Sequence, residues 1–275
     1  MIGGWFGRPA SETQVTHGQR LWLYVFSVIA MILLVAPTLI VIPMSFSDSQ
    51  YLEFPPETWS LRWYRNYFGS SEWMLATETS LKAAVLTMLV ATPIGVLAAY
   101  GLHTSGLRLV RAAFVLLIAP MMVPVVLVAI GAFYAYAKLG LIYTLAGLVL
   151  AHTILALPLV LIVVGSALKS YDMNQELAAR SLGAPRWRAF LTITLPQIRF
   201  SVITAALLSF LTSFDEVVVA MFISGGDNPT LTRSMFNALR DQIDPTIAAI
   251  STLMIVVTTL AMVLAQVFGR GSAGK

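Results

Sequence analysis

Two adjacent carboxylates, Asp215 and Glu216, are the clearest candidates for a functional role in this chain, because they lie inside the apolar run 201–224. A carboxylate that faced lipid at the centre of a bilayer would cost roughly 2.5–3.5 kcal/mol. We therefore expect the pair to face a cavity, a partner or a counter-charge. Neighbouring side chains point about 100° apart on a helix, so at most one of the two faces a pathway squarely. The pair could line a translocation cavity or outer gate, or it could form a structural bond to another helix or subunit.

The sequence contains few other residues or motifs that could support catalysis or metal binding. The chain has no cysteine and contains neither H-E-x-x-H nor G-x-S-x-G, and it lacks the GxxxxGK[ST] phosphate loop. His103 and His152 have no second ligand at metal-binding spacing, so we interpret them as packed histidines. We predict no catalytic residue, no metal site and no cofactor bound by this chain. A membrane-embedded enzyme would need paired catalytic groups on facing helices, and the only carboxylates well inside a span are adjacent.

The composition identifies the class of protein. The chain has 275 residues, of which 58% are hydrophobic and only 11% are charged, whereas soluble domains carry roughly 25% charged residues. Such a chain must present apolar surface to lipid, so the sequence predicts an integral membrane protein. The net charge of +4 comes from basic residues scattered in short loops. That pattern is typical of a topology signal, and we expect no nucleic-acid partner.

Apolar runs predict six transmembrane helices and no soluble domain. Residues 112–168 would form about 85 Å of helix at 1.5 Å per residue, far more than a bilayer core of about 30 Å. We therefore expect two bent, proline-containing helices there, with a break at 137–144. The aromatic-rich outer loop could lie along the membrane surface or could pack as an ordinary loop. The predicted order is N-terminal segment 1–20, first helix 21–44, outer loop 45–77, second helix 78–100, third and fourth helices within 112–168, polar loop 168–200, fifth helix 201–224, outer loop 225–244, sixth helix 245–268 and tail 269–275.

Lysine and arginine predict the orientation. With the N-terminus inside, the inner segments hold eleven of these residues and the outer loops hold five. Because cytoplasmic loops carry the excess of positive charge, we expect both termini and the 168–200 loop in the cytoplasm.

The segment Glu176–Pro196 is polar and basic and lies between long apolar runs. It reads as two short helices that meet at Gly183-Ala184-Pro185, where Pro185 suits the first turn of a new helix. Ala178 and Ala179 leave a face that another surface can approach closely, and Arg180, Arg186 and Arg188 supply charge for a partner or for anionic headgroups.

This segment resembles the EAA signature of permease subunits from binding-protein-dependent ABC importers of the type I class. The pattern is AA-x3-GA-x8-I-x-LP, and it lies before the fifth of six spans, as in that family. The signature glutamate would fall at Leu177, whereas Glu176 lies one residue earlier. The matching positions are Ala178, Ala179, Gly183, Ala184, Ile193, Leu195 and Pro196.

The resemblance covers nearly the whole chain and implies a fold and partners. It implies an all-α, six-helix, MetI-like permease core at 78–268, preceded by one added helix. It also implies that the 168–200 loop, here called the coupling loop, binds a cytoplasmic ATPase subunit. The implied partners are two ATP-binding subunits, which would hold ATP and Mg²⁺, a second, homologous permease chain that forms a heterodimer with this one, an external solute-binding protein, and the bacterial inner membrane. The coupling residues implied are Glu176, Ala178, Ala179, Gly183, Ala184, Pro185 and Arg186.

The stretch 213–253, beginning SFDEVVVAMFISGG, resembles permeases of the spermidine/putrescine group. An acidic pair that lines a cavity suits a cationic amine. Relatives in this group carry other small amines, opines or aminophosphonates, so these cargoes and amino acids remain alternatives. A channel, a secondary transporter and an exporter are further alternatives, but the specialised cytoplasmic loop argues against them.

Overall fold

The computed structural model describes residues 16–105, 109–241 and 243–270, and these residues form helices joined by turns and short irregular segments. The predicted all-α class is confirmed. Most of the predicted N-terminal segment 1–20 and most of the tail 269–275 lie outside the described residues.

The element order follows the predicted spans but has more and shorter pieces. A π-helix, Phe190–Thr194, lies within the coupling loop. The helices are α1 (Leu21–Met44), α2 (Arg62–Gly69), α3 (Ser71–Thr104), α4 (Val110–Met122), α5 (Val125–Leu139), α6 (Leu145–Ser170), α7 (Asn174–Ser181), α8 (Arg186–Ala189), α9 (Leu195–Gln197), α10 (Arg199–Phe214), α11 (Val218–Ile223), α12 (Leu231–Asp241) and α13 (Thr246–Arg270).

The chain divides into two compact units, and the smaller comprises residues 1–67 and 243–257. Its helix α1 has the bounds predicted for the first span, and none of its residues is buried. The aromatic loop that follows is packed: the indole of Trp63 donates to the carbonyl of Ser49 at 3.1 Å. Asn66 of α2 also donates to the hydroxyl of Thr246 at 2.8 Å. These bonds favour the packed alternative for the aromatic loop.

The larger unit comprises residues 68–242 and 258–275, and helices α3, α6 and α10 form its centre. Small residues allow these helices to approach closely, which is typical of helix packing inside membranes. A β-carbon placed on Gly95 of α3 would lie 2.4 Å from Cγ1 of Val160 on α6. Val160 is fully buried in the same apolar cluster as Val96 and Tyr100. Close contact between α3 and α6 therefore depends on the missing side chain at position 95.

Helix α3 begins at Ser71, two turns before the predicted start at Glu78. The cause is a polar first turn: the Ser70 side chain accepts the backbone N–H of Trp73 at 3.4 Å, and Glu72 lies near the positive end of the helix. Hydropathy locates only the apolar part of a helix, so it places the start too late.

The predicted third helix is instead two helices, α4 and α5, bent by 101° at Val123-Pro124. Proline lacks an N–H and disfavours helical backbone in the preceding residue, and Val123 is extended. The predicted break at 137–144 is present: α5 ends at Leu139, and the next residue, Gly140, has φ +67°.

Three helices, α1, α3 and α6, are long and apolar enough to cross a membrane by themselves. Two bent pairs pass the same test together, α4 with α5 and the 186–197 segment with α10. The described residues thus hold three to five candidate spans, and the count of six stays a prediction.

The packing at Gly95 generates a test of the fold. Gly95→Ala should lower the thermal unfolding temperature, since overpacking a close helix contact costs about 1–3 kcal/mol. Gly101→Ala is the matched control on the same helix, because a β-carbon at Gly101 meets no atom within 4 Å. We expect the control to be neutral or slightly stabilising, since alanine favours helix by about 0.5–1 kcal/mol over glycine. Equal stability of the two detergent-solubilised variants would contradict the packing argument.

Candidate functional site

The coupling loop has the predicted form of short helices that meet at Gly183-Ala184-Pro185. Helix α7 ends at Ser181, and Gly183 then takes φ +95°, a conformation that favours glycine. Pro185 precedes α8, and the π-helix follows α8 directly.

Glu176 is the one buried residue of α7, with its residue surface 1% exposed. One carboxylate oxygen accepts the hydroxyl of Tyr100 at 2.5 Å, and the other accepts the hydroxyl of Thr194. Tyr100 lies near the end of α3, and Thr194 closes the π-helix. Glu176 therefore bonds the first turn of the coupling loop both to a membrane helix and to the far end of the same loop.

Arg186 extends this network to α8. Its Nε donates to the hydroxyl oxygen of Tyr100 at 3.3 Å, and its Nη2 donates to the hydroxyl of Thr104. The ring of Tyr100 also packs on Phe190, with 4.4 Å between ring centroids. Tyr100 thus contacts α7, α8 and the π-helix at once.

The inward direction of Glu176 follows from helical spacing. Met173 and Ala179 lie three residues before and after it, and both are half-buried on the same side of α7. Leu177, where the EAA signature has its glutamate, is exposed. The one-residue offset therefore turns Glu176 towards the protein interior, so it is not available for direct contact with a partner.

The remaining predicted coupling residues form an accessible surface. Ala178, Gly183, Pro185 and Arg186 are exposed, and Ala179 and Ala184 are half-buried. The sequence interpretation missed the most exposed apolar side chains of this surface, Leu182 at 90% and Trp187 at 67%. Large apolar residues in a polar segment were the available signal.

An open cavity of about 330 Å³ lies between the end of α3 and the coupling loop. Its wall includes three basic side chains, His103, Arg180 and Arg186. Of these, Arg180 and His103 form no hydrogen bond or ion pair with the described residues. The cavity can therefore accept an acidic group.

The sequence predicted that Asp215 and Glu216 lie within one continuous helix, and this prediction is wrong. Helix α10 ends at Phe214, and α11 begins at Val218. Asp215 is exposed, and its carboxylate forms no hydrogen bond or ion pair within the described residues. An exposed carboxylate of this kind can bind a cation.

Glu216 has a structural contact that explains the helix break. Its carboxylate accepts the backbone N–H groups of Val218 and Val219, each at 3.1 Å, and so caps the start of α11. The carbonyl of Glu216 accepts the hydroxyl of Thr232 on α12 at 2.8 Å. The two neighbouring carboxylates therefore have different environments, and Asp215 is the one available to a solute.

His152 is buried and structural, in agreement with the sequence interpretation. Its Nδ1 lies 2.7 Å from the hydroxyl of Ser213, which donates to the hydroxyl of Thr87 at 3.3 Å. These residues link α6, α10 and α3. Within the described part of the chain, no three His, Asp or Glu residues are grouped so as to hold a metal ion.

Comparisons with known proteins agree on one family. The family model "Binding-protein-dependent transport system inner membrane component" matches residues 91–273, well over half of the chain. The chain is 29% identical to the spermidine/putrescine transport system permease protein PotC of Haemophilus influenzae, over 85% of this chain and 91% of that protein. It is 30% identical to the putrescine transport system permease protein PotI of Escherichia coli K12, over 85% of each.

A solved structure supports the fold. A chain of a bacterial ABC transporter involved in the import of the acidic polysaccharide alginate superposes with a TM-score of 0.68. The match covers 93% of this chain and 98% of that chain at 14% sequence identity, so it bears on the fold alone.

The cap at Glu216 generates a test that separates the two carboxylates. Glu216→Ala should lower the free energy of unfolding by about 0.5–2 kcal/mol, because α11 loses its N-terminal acceptor. Glu216→Gln retains an acceptor oxygen and should lose less, and Asp215→Asn should leave stability unchanged. Thermal unfolding of the purified variants measures this order. An Asp215→Asn variant as unstable as Glu216→Ala would contradict the separate roles.

Proposed function

Because the chain belongs to the family of inner membrane components of binding-protein-dependent transport systems, we propose that it is a permease subunit of an ATP-driven ABC importer for a polyamine such as putrescine or spermidine. The observation that carries the cargo class is the exposed carboxylate of Asp215 at a helix break, which can attract an ammonium group. The named relatives, which match most of the chain, support the same cargo. Opines, amino acids and aminophosphonates are the alternative cargoes.

Two cytoplasmic ATPase subunits bind the coupling loops of the permease pair. The exposed side chains of Leu182 and Trp187 support this assignment, since apolar groups projecting from a polar loop favour a partner. The basic cavity beside them can receive an acidic side chain of that partner. We expect ATP and Mg²⁺ to bind the ATPase subunits, since the sequence of this chain contains no GxxxxGK[ST] phosphate loop.

A second, similar permease chain completes the translocation path. Helices α4 and α5 expose large apolar side chains, including Leu116 and Met122, that need lipid or another helix against them. An external solute-binding protein docks on the outer loop 225–244, which contains α12. Both termini and the coupling loop lie in the cytoplasm, as the distribution of lysine and arginine supports.

The transport cycle follows from these parts. ATP-driven closure of the ATPase subunits moves the coupling loops and turns the permease helices towards an outward-open state. The loaded binding protein then releases the solute beside Asp215, and hydrolysis returns the pair inward. The helices rearrange around a fixed site, which is the general logic of alternating access.

The exposed apolar surface of the coupling loop predicts how the subunits assemble. Leu182→Asp should reduce the amount of ATPase subunit that co-purifies with the permease about tenfold, since it places a charge in an apolar contact worth about 1–3 kcal/mol. The same substitution at Gly183 would also strain a backbone at φ +95°, so position 182 gives the cleaner test. Leu182→Met keeps the apolar surface and is the matched control. Normal co-purification of the Asp variant would remove Leu182 from the partner surface.

Uptake of labelled putrescine and spermidine tests the cargo. Cells that carry the complete transporter should accumulate these amines, and Asp215→Asn should lower uptake about tenfold through the loss of about 1.4 kcal/mol of cation binding. Glu216→Gln removes the neighbouring charge and should keep uptake near the wild-type value. No uptake by the wild-type transporter would exclude polyamines and leave the alternative cargoes to be measured.

A further inference from the structure

Tyr100 of α3 contacts three separate pieces of the coupling loop. Its hydroxyl donates to Glu176 of α7 and accepts from Arg186 of α8. Its ring packs on Phe190 of the π-helix. A single side chain therefore connects three consecutive pieces of the loop to one long membrane helix.

These contacts make a stiff connection because their polar centre is buried. Glu176 is 1% exposed, and both of its carboxylate oxygens are occupied, by Tyr100 and Thr194. Separating a buried carboxylate from a hydroxyl donor leaves a charged acceptor without water, which is far more costly than breaking an exposed bond. We therefore expect the coupling loop and the end of α3 to move as one body.

The connection continues along α3 to the exposed carboxylate. Five residues before Tyr100, Gly95 packs closely against Val160 of α6. Two turns further along α3, the hydroxyl of Thr87 accepts from Ser213 of α10. Ser213 precedes Asp215 by two residues, so packed contacts run from the coupling loop to the end of α10.

We infer that Tyr100 is a positioning residue that transmits movement of the coupling loop to α3, with Glu176 as its internal anchor. This inference rests on the proposed function and assigns residues to its coupling step. It gives Glu176 a role inside the permease in place of the partner contact that the sequence resemblance implied. Arg186 joins α8 to the same point through the hydroxyl of Tyr100.

Tyr100→Phe is the decisive variant, because it keeps the ring on Phe190 and removes only the hydroxyl. In proteoliposomes that contain the complete transporter, we expect solute uptake per ATP hydrolysed to fall about tenfold, while ATP hydrolysis stays within about twofold of wild type. Tyr136→Phe is the matched control, since Tyr136 is also buried and its hydroxyl has no hydrogen-bond partner among the described residues. A purely structural role would lower uptake and hydrolysis together and leave their ratio unchanged, which would overturn the inference.

A double-mutant cycle tests whether the hydroxyl acts through the carboxylate. Glu176→Gln alone should lower the uptake-to-hydrolysis ratio, and adding it to Tyr100→Phe should have little further effect. Thr194→Val removes the other hydroxyl donor of Glu176 while preserving shape, so it should lower the ratio in the same direction. Additive effects of Tyr100→Phe and Glu176→Gln would contradict a shared pathway.

A second readout separates this inference from the choice of cargo. Spin labels at the exposed residues Asn174 and Leu81, neither of which is assigned to the ATPase contact, report the distance between the coupling loop and the half of α3 that lies farthest from Tyr100. In the wild-type complex, we expect trapping with ATP and vanadate to leave this distance nearly unchanged. In the Tyr100→Phe complex, we expect the same trapping to change the mean distance and to broaden its distribution. This result holds whichever solute is carried, so absent polyamine uptake would reject the cargo and leave the inference standing. Identical distance changes in both proteins would overturn it.

Discussion

A buried carboxylate must keep its hydrogen-bond donors, and this constraint determines how the coupling loop is held. Glu176 is surrounded by protein and accepts hydroxyl groups from α3 and from the π-helix. The geometry of the loop supports this arrangement, since the π-helix directs both Phe190 and Thr194 inward. The same fold presents Leu182 and Trp187 outward. One face of the loop is thus fixed internally, and the other is available to a partner.

The two neighbouring carboxylates illustrate how a helix break assigns roles. Within a continuous helix, Asp215 and Glu216 would differ only by the angle between their side chains. The break lets Glu216 cap the next helix and leaves Asp215 exposed. Broken helices at sites that handle charged solutes are common in transporters, because their free backbone ends supply polar groups inside the membrane. The bend between α4 and α5 at Val123-Pro124 is a second interruption of helix in this chain.

The sequence predicted the features that depend on composition and on strong local signals. Low charge content predicted a membrane protein, Gly183-Ala184-Pro185 predicted the junction in the coupling loop, and the lysine and glycine near 140 predicted a helix end. Features set by tertiary contacts were not predicted. The partner of Glu176 is Tyr100, 76 residues earlier in the chain, and no local pattern joins the two. Helix starts such as Ser71 were placed too late because hydropathy does not register a polar first turn capped by Ser70.

The length of α3 has a mechanical consequence. Its 34 residues extend about 51 Å at 1.5 Å per residue, well beyond a hydrocarbon core of about 30 Å. A rod of this length acts as a lever: a tilt of about 5° displaces one end by about 4 Å relative to the other. Small displacements at the end of α3 where Tyr100 lies thus become motions comparable to the diameter of a solute at the opposite end. A helix that only spanned the bilayer would be shorter, so the same tilt would displace its end by a smaller distance.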